Sequence, residues 1–182
     1  MKLDQRIEGM MPRLPYRSAG EYLTKEIRPR LQRAVDNEIL SIGAHQLGKF
    51  VRVTEGVDAW ELVGGQKNFK RLKPMAELLT TDGGWISFAA TLQPVEGGLA
   101  LLAYDFERFF PDGHVEFIRF DLNFVGHPNQ ALGLRSHVHP GDDDWMLPAP
   151  ILAPHELLDV MLARFGPRGE RSERSKGRGA ST

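Results

Sequence analysis

The two long apolar segments on either side of Pro111-Asp112-Gly113 constrain the fold more than any other feature of this chain. Residues 98–110 and 114–124 are rich in aromatic and aliphatic side chains, as strands are. Proline fixes φ and glycine tolerates φ > 0, so the residues between the segments favour a tight turn. Because so short a connection makes two strands antiparallel neighbours, the sequence predicts a β-hairpin here.

The alternation of side chains along this hairpin predicts a sheet with one apolar and one polar face. The expected apolar face carries Leu102, Tyr104 and Phe106 of the first strand and Ile118, Phe120, Leu122 and Phe124 of the second. The expected polar face carries Asp105, Glu107, Arg119, Asp121 and Asn123.

A third strand is predicted at residues 134–139, before Pro140-Gly141. Alternation places Leu134, Ser136 and Val138 on one side and Arg135, His137 and His139 on the other. Side chains two residues apart on a strand stand about 6–7 Å from each other. These three side chains extend the expected polar face of the sheet. Folding alone does not require a guanidinium and two imidazoles in one row, so we interpret the row as part of a functional site.

Two amphipathic helices flank the strands. Ser18 and Glu21 have capping-box spacing, and apolar residues then recur in steps of four at Leu23, Ile27, Leu31, Val35 and Ile39. Pro29 predicts either one kinked helix or two pieces. A second helix begins at Pro154, and its apolar stripe is Leu157, Leu158, Met161, Leu162 and Phe165. The expected fold class is α+β, a mainly antiparallel sheet with the N-terminal and C-terminal helices packed on one face.

The predicted domain organisation is a single α+β domain over residues 17–165. An irregular lead-in, residues 1–16, precedes it, and a disordered polar tail, residues 166–182, follows it. Within the domain, residues 17–80 form a helical and hairpin part, with a hairpin at 49–63 and a short helix from Pro74 through Leu79. Residues 85–165 supply the sheet and the C-terminal helix.

The amino-acid composition excludes several classes of function for this protein. The chain has 182 residues, a net charge of −1 and ordinary globular fractions of apolar and charged residues, 41% and 26%. The absence of cysteine excludes disulfides, zinc–thiolate sites, iron–sulfur clusters and thiol catalysis. No stretch approaches the ~18 apolar residues of a membrane span, so we expect a cytoplasmic protein with no membrane partner. An exposed sheet edge would allow a homodimer.

The polar face has the residue types for RNA cleavage without a metal or other cofactor. Such cleavage needs a base, an acid and a cation, and histidine suits the first two roles because its pKa lies near neutrality. His137 and His139, with Arg119 or Arg135, are the candidate catalytic residues. Lys67, Lys70 and Arg71 of the basic segment 67–73 are candidates for substrate binding, and a solvated surface segment is the alternative.

Two other interpretations stay open. His137 and His139 have the His-x-His spacing of metal ligands, and Asp143 of the adjoining Asp142-Asp143-Asp144 could add a carboxylate for a divalent transition metal. Alternatively, the histidines bond loop carbonyls, and the protein is a binding or structural protein without catalysis.

From Tyr104 to Leu162 the order of features resembles that of the TumE-like small bacterial toxins, which occur beside an antitoxin gene. The shared features are a hydrophobic strand, Phe120-Asp121 after Arg119, His127-Pro128, the strand end His137-Val138-His139 and a terminal helix after a proline-containing link. The resemblance implies a toxin-like protein that acts on RNA and has a small antitoxin partner. It places Arg119, Asp121, His127, His137 and His139 at matching positions, whereas residues 1–80 have no counterpart. The resemblance thereby adds Asp121 to the candidate catalytic residues and His127 to the candidates for substrate binding.

Overall fold

A computed structural model describes residues 12–68, 70–72, 77–113 and 115–163 of the protein. Within these ranges, nine strands form one antiparallel sheet. They are β1 (Arg13–Leu14), β2 (Val51–Glu55), β3 (Trp60–Gly64), β4 (Leu78–Leu79), β5 (Trp85–Val95), β6 (Gly98–Phe109), β7 (Phe117–Leu122), β8 (Ser136–Pro140) and β9 (Leu147–Pro148). The main order is β2-β3-β5-β6-β7-β8-β9, with β1 paired to β6 and β4 paired to β5.

The predicted central hairpin is confirmed as β6 and β7. Its last strand pair is Phe109 with Phe117, and beyond it the Phe110 amide donates to the Glu116 carbonyl over 2.7 Å. The strand with the His-x-His spacing is β8, and it lies antiparallel to β7. The hairpin predicted at 49–63 is also present, as β2 and β3. Both hairpins predicted from the sequence, β2–β3 and β6–β7, are thus present in the structure.

A β-bulge in β6 reverses the alternation that the sequence predicts for this strand. Thr91 pairs with Ala103 and Leu92 pairs with Leu101, so that Leu102 is the extra residue. Leu101 is fully buried in the core, whereas Leu102 is only half-buried and lies outside the core cluster. The prediction that Leu102 belongs to the apolar face is therefore wrong, because the inserted residue shifts the core position to its neighbour.

The N-terminal helix, α1, is one continuous helix that changes pitch. It consists of Ala19–Tyr22, a π-helical turn at Leu23–Ile27, and Arg28–Asp36. The Ser18 hydroxyl accepts a hydrogen bond from the Glu21 amide over 3.0 Å, as the capping pattern predicts. The π-helical turn lies directly before Pro29, whose missing N–H and bulky ring interrupt the regular hydrogen-bond ladder. Of the two alternatives, the single helix is thus the correct one.

The C-terminal helix, α4 (Pro154–Met161), packs with α1 on one face of the sheet. Glu156 closes its first turn by accepting a hydrogen bond from the Ala153 amide over 2.7 Å. Both helices contribute to a single core cluster, which includes Tyr22, Ile27, Leu31, Leu62, Phe88, Phe106, Leu157 and Met161. The predicted α+β fold, with both helices on one face, is confirmed.

Some local predictions differ from the structure. Residues 13–14 form β1 rather than an irregular lead-in, and residues 78–79 form β4 rather than the end of a helix. The reason is strand pairing, because β1 pairs with β6 and β4 pairs with β5. Phe124 lies beyond the end of β7 and is 53% exposed, so strand alternation no longer determines its side. Two short helices, α2 (Leu47–Phe50) and α3 (Pro128–Ala131), were not expected.

Several predictions concern residues outside the described ranges. These are the first part of the lead-in (residues 1–11), the start of the predicted short helix at Pro74, the residues Arg164 to Gly166 around the predicted end of α4, and the tail at 166–182. Among the helices that the structure describes, none has the length and apolar character needed to cross a membrane.

Candidate functional site

The polar face of the sheet brings six ionisable side chains together in two neighbouring rows. The strand register pairs Asp105 with Asp121 and Asp121 with His137. The second row, one pleat away, is Glu107, Arg119 and His139. Directly opposed side chains on one face of an antiparallel sheet lie about 4.5–5.5 Å apart at Cβ. The parity of β6, β7 and β8 therefore produces one continuous charged surface opposite the helices.

Asp121, His137 and His139 form the centre of this surface, which we call the Asp-His-His cluster. Asp121 Oδ2 lies 3.2 Å from His139 Nε2 and 3.5 Å from His137 Nε2. One potential ligand atom from each of the three side chains lies within 4.8 Å of the other two. The imidazole rings are edge-on, with centroids 4.9 Å apart. Three side chains from two neighbouring strands thus converge on one point.

The tautomer of His137 follows from its backbone partner. Its Nδ1 lies 2.8 Å from the Leu134 carbonyl oxygen, and because a carbonyl can only accept, Nδ1 carries the proton. In the neutral ring, Nε2 then presents a lone pair toward Asp121. Burial lowers the pKa of His137, although the Asp121 carboxylate opposes this effect, so burial favours the neutral form.

Two polar atoms of the cluster are buried without a hydrogen-bond partner among the described residues. They are Asp121 Oδ1 and His139 Nδ1. Buried polar atoms in folded proteins nearly always have a partner, and an unpaired carboxylate oxygen is among the more costly exceptions. The described residues therefore leave the Asp-His-His cluster incompletely hydrogen-bonded.

Arg119 connects the Asp-His-His cluster to Asp143 and Glu107. Its Nε donates to Asp121 Oδ2 over 3.0 Å, and its Nη1 donates to Asp143 Oδ1. The same Nη1 lies 3.7 Å from Glu107 Oε2. The guanidinium therefore compensates three carboxylates and fixes the orientation of Asp121.

Two segments cover the polar face, the cover segment (residues 67–68 and 70–72) and the aspartate loop (residues 141–144). Lys67 Nζ lies 2.9 Å from Asp105 Oδ2, and Arg71 forms two hydrogen bonds to Asp143. A cavity of about 210 Å³ lies under the two segments. A second cavity of about 400 Å³ adjoins it and shares Lys67, Asp105 and Arg119 as lining residues. Asp121 lines the larger cavity, whereas His137 and His139 are buried and line neither of the two cavities.

Two further carboxyl groups on β6 have unusual protonation behaviour. Burial and the facing Asp121 carboxylate raise the pKa of Asp105, against the effect of Lys67. Burial also raises the pKa of Glu107, and the charge of Arg71 opposes it. Carboxyl groups with raised pKa values beside a cavity are common in functional sites. The sequence places both residues on the expected polar face, together with the candidates, but it does not single them out as site residues.

The structure separates Arg135 from the other predicted catalytic residues. Its guanidinium is buried and donates to the backbone carbonyls of Asn123 over 3.1 Å and of Leu102 over 3.5 Å. Arg135 immediately precedes β8, and these bonds tie it to β6 and to the chain after β7. We assign it to supporting the sheet.

The predicted substrate-binding residues take different positions. Lys67 and Arg71 lie over the polar face and are paired with its acids, whereas Lys70 is exposed. His127 lines the larger cavity and caps α3, accepting a hydrogen bond from the Asn129 amide over 3.2 Å.

The carboxylate beside the imidazoles differs from the one expected for a metal site. Asp143 bonds to arginine side chains, and Asp121 lies next to His137 and His139 instead. The register between β7 and β8 makes this assignment, and a single sequence does not reveal which residues two strands will pair.

Comparisons with protein-family models, with curated proteins and with solved structures gave no match. The resemblance to TumE-like toxins stays a prediction.

Proposed function

We propose that the protein is a metal-dependent enzyme in which Asp121, His137 and His139 bind one divalent transition-metal ion. The observation that carries this proposal is the convergence of two imidazole Nε2 atoms on one oxygen of Asp121. Two histidines and one carboxylate are a frequent ligand set of catalytic zinc and non-haem iron sites, which keep further positions open.

The distances support this ligand set. Metal–ligand bonds of about 2.0–2.2 Å at angles of about 90–110° hold neighbouring ligand atoms about 2.8–3.6 Å apart. The separations of Asp121 Oδ2 from the two Nε2 atoms, 3.2 and 3.5 Å, fall in this range. An ion would also give the buried Asp121 Oδ1, which lacks a hydrogen-bond partner among the described residues, a cation close by.

The bond from His137 to Leu134 gives the second line of support. Histidine ligands usually donate their remaining N–H to a carbonyl or carboxylate, which fixes the ring for metal binding. With its Nδ1 proton on the Leu134 carbonyl, His137 directs a lone pair at a carboxylate. A lone pair and a carboxylate oxygen cannot hydrogen-bond to each other, whereas a metal ion between them would bind both.

The surrounding residues suggest how such a centre would work. A divalent ion held by these ligands would act as a Lewis acid and would lower the pKa of a bound water molecule. Asp121 lines the cavity of about 400 Å³, through which a substrate would approach. Arg119, which also lines this cavity, would hold Asp121 in place through its Nε.

Metal titration of the purified, metal-stripped full chain tests the proposal. We expect one equivalent of Zn²⁺ or Co²⁺ to bind, with the visible spectrum of Co²⁺ reporting nitrogen and oxygen ligands. The Asp121→Asn variant keeps the side-chain volume but loses a metal ligand. Loss of a residue that only hydrogen-bonds to a ligand typically weakens metal affinity about 10–100-fold, and we expect Asp121→Asn to weaken it at least as much. His137→Ala and His139→Ala should behave in the same way.

The matched control is His45→Ala, which removes an exposed imidazole outside the cluster and should leave metal affinity unchanged. Circular dichroism of each variant separates loss of a ligand from loss of the fold. Binding that is equally strong in wild type and in a folded Asp121→Asn variant would show that the metal lies elsewhere. Absence of binding to the wild type would refute the proposal.

A second candidate function uses the same residues without a metal, as the metal-independent ribonuclease predicted from the sequence. The arrangement that favours it is the sharing of Asp121 Oδ2 by Arg119 and His139, which joins a cation and an acid–base group. The two candidates differ in one assay, cleavage of a mixed RNA substrate with and without a chelator. Activity that survives chelation and is lost in His139→Ala would favour the second candidate over the first.

A further inference from the structure

Two arginines from different parts of the chain hold the same carboxylate at the edge of the smaller cavity. Arg71 donates from Nη1 to Asp143 Oδ2 and from Nη2 to Asp143 Oδ1, both over 3.0 Å. Arg119 donates from Nη1 to Asp143 Oδ1. All three residues line the cavity of about 210 Å³. One anionic group thus occupies a site formed by two guanidinium groups.

Contacts other than those with Asp143 keep both guanidinium groups in place. Glu107 Oε2 lies 3.2 Å from Arg71 Nη2 and 3.7 Å from Arg119 Nη1. Arg71 also stacks on the Phe117 ring, with its guanidinium carbon 3.5 Å from the ring centroid, and Arg119 is bound to Asp121. The two-arginine site would therefore persist if Asp143 moved away.

Asp143 is the carboxylate that can leave. Its side chain is 52% exposed, compared with 9% for Glu107 and 16% for Asp121. It lies in the aspartate loop after β8, two residues beyond Gly141, which has φ of 87°. A short exposed loop can move without disturbing the sheet, whereas Glu107 and Asp121 are fixed by their strands.

The backbone of Arg71 is consistent with a ligand site. Arg71 has φ of 51°, in the left-handed region that non-glycine residues seldom adopt. Strained residues of this kind persist where surrounding contacts hold them, and they are frequent at ligand-binding positions. At Arg71 these contacts are the hydrogen bond from its own amide to the Asn68 carbonyl over 2.8 Å and the side-chain contacts with Asp143, Glu107 and Phe117.

We propose that Arg71 and Arg119 form a phosphate-binding site, and that Asp143 occupies it as an internal competitor in the unliganded protein. The planar fork of arginine binds carboxylate and phosphate with the same bidentate geometry. Without Asp143, the cavity lining carries three cations, Lys67, Arg71 and Arg119, and two carboxylates, Asp105 and Glu107. The site then attracts an anion.

The phosphate site deepens the proposed function, since it would make a phosphorylated compound the substrate class of the proposed enzyme. Only this link to a substrate rests on the proposed function. Arg119 belongs to both sites, since its Nε holds Asp121 while its Nη1 faces the phosphate site. A phosphorylated compound bound by Arg71 and Arg119 would lie beside the cavity that Asp121 lines. The phosphate site itself does not depend on a metal.

Calorimetric titration of the metal-free full chain with inorganic phosphate, in the presence of a chelator, tests the proposal. We expect Asp143→Asn to bind phosphate about 10-fold more tightly than wild type, because it loses a charged competitor. The double variant Arg71→Met/Asp143→Asn should lose this binding. The matched control is Asp144→Asn, a neighbouring exposed aspartate of the same loop, which should behave as wild type.

Two outcomes would overturn the proposal. One is equal phosphate affinity in Asp143→Asn and Asp144→Asn, and the other is undiminished affinity in the double variant. A parallel titration with a 5′-mononucleotide identifies the source of the phosphate, since tighter binding than that of inorganic phosphate indicates a nucleotide ligand. Because chelator is present throughout, failure of the metal centre would leave these measurements unaffected.

Discussion

Arg119 and Arg135 show that neighbours determine what a residue does. Both were candidates for stabilising a developing negative charge. Arg119 lies on the polar face and bonds to the carboxylates of Asp121 and Asp143. Arg135, which is 1% exposed, donates to the carbonyls of Asn123 and Leu102. A buried guanidinium needs acceptors for its N–H groups, and these can be backbone carbonyls instead of carboxylates.

Replacement of Arg135 by methionine should therefore affect stability rather than metal binding. The variant keeps much of the side-chain volume but leaves buried carbonyls without their donor. We expect the free energy of unfolding to fall by about 1.5–3 kcal/mol, the range for hydrogen bonds that involve a charged group. Urea denaturation measures this change. A stable variant with lost metal binding would instead place Arg135 in the functional site.

At the scale of elements, the β-bulge in β6 determines which residues reach the core and which reach the polar face. It lies between the pairs Leu92–Leu101 and Thr91–Ala103. Beyond it, even-numbered Tyr104 and Phe106 are buried under the helices, whereas odd-numbered Asp105 and Glu107 reach the polar face. Without the inserted residue, the buried Leu101 and the buried Phe106 could not share one face.

Leu101 and the inserted Leu102 should differ in their contribution to stability. Leu101→Ala removes a fully buried core side chain and should cost about 2–5 kcal/mol. Leu102→Ala removes a half-buried side chain outside the core cluster, and we expect a loss below about 1.5 kcal/mol. Chemical denaturation of the two variants compares them directly. Equal losses would mean that the bulge is absent in solution.

At the scale of the whole molecule, Arg108 joins the sheet to the C-terminal helix. Arg108 lies on β6 but is buried on the side of the helices, where it donates to the carbonyls of Met161 over 2.5 Å and Ala163 over 2.6 Å. A cation at this end compensates the unsatisfied carbonyls of α4. Its Nη2 also donates to Asp82 over 2.8 Å, so one side chain connects β6, α4 and the turn between β4 and β5.

The contribution of Asp82 should depend on pH. Burial alone would raise its pKa, but hydrogen bonds from Thr80 and Gly84 and the charge of Arg108 outweigh burial and lower the pKa of Asp82. A carboxyl whose folded pKa lies below its unfolded value stabilises the protein above the unfolded pKa, ~3.9. This stabilisation is lost as pH falls through the folded pKa.

Asp82→Asn should accordingly lower the free energy of unfolding by about 1–2 kcal/mol at pH 7, a magnitude that allows for the partial exposure of Asp82. The difference from wild type should shrink as pH falls below the unfolded pKa and should disappear once pH has passed through the lower folded pKa. Urea denaturation between pH 2.5 and 7 measures it, with the exposed Asp58→Asn as control. A difference that is the same at all pH values would contradict the assigned ion pair.

The sequence by itself determined the principal strands and helices of this protein, although not the short elements β1, β4, α2 and α3. Side-chain periodicity predicted the central hairpin, the strand with His137 and His139, the helix capped by Ser18 and the helix that begins at Pro154. These patterns are local, because alternation and capping depend on residues only a few positions apart. For the same reason, the sequence placed acidic and basic residues together on one face of the sheet.

Only the tertiary structure decided which of these residues meet. The register between β7 and β8 selected Asp121 rather than Asp143 as the neighbour of the imidazoles, and the covering segments brought Arg71 to Asp143 across 72 positions of sequence. The bulge at Leu102 and the burial of Arg135 were likewise not predicted. Strand register and loop closure depend on packing across the whole sheet, and no pattern confined to one segment of the chain encodes them.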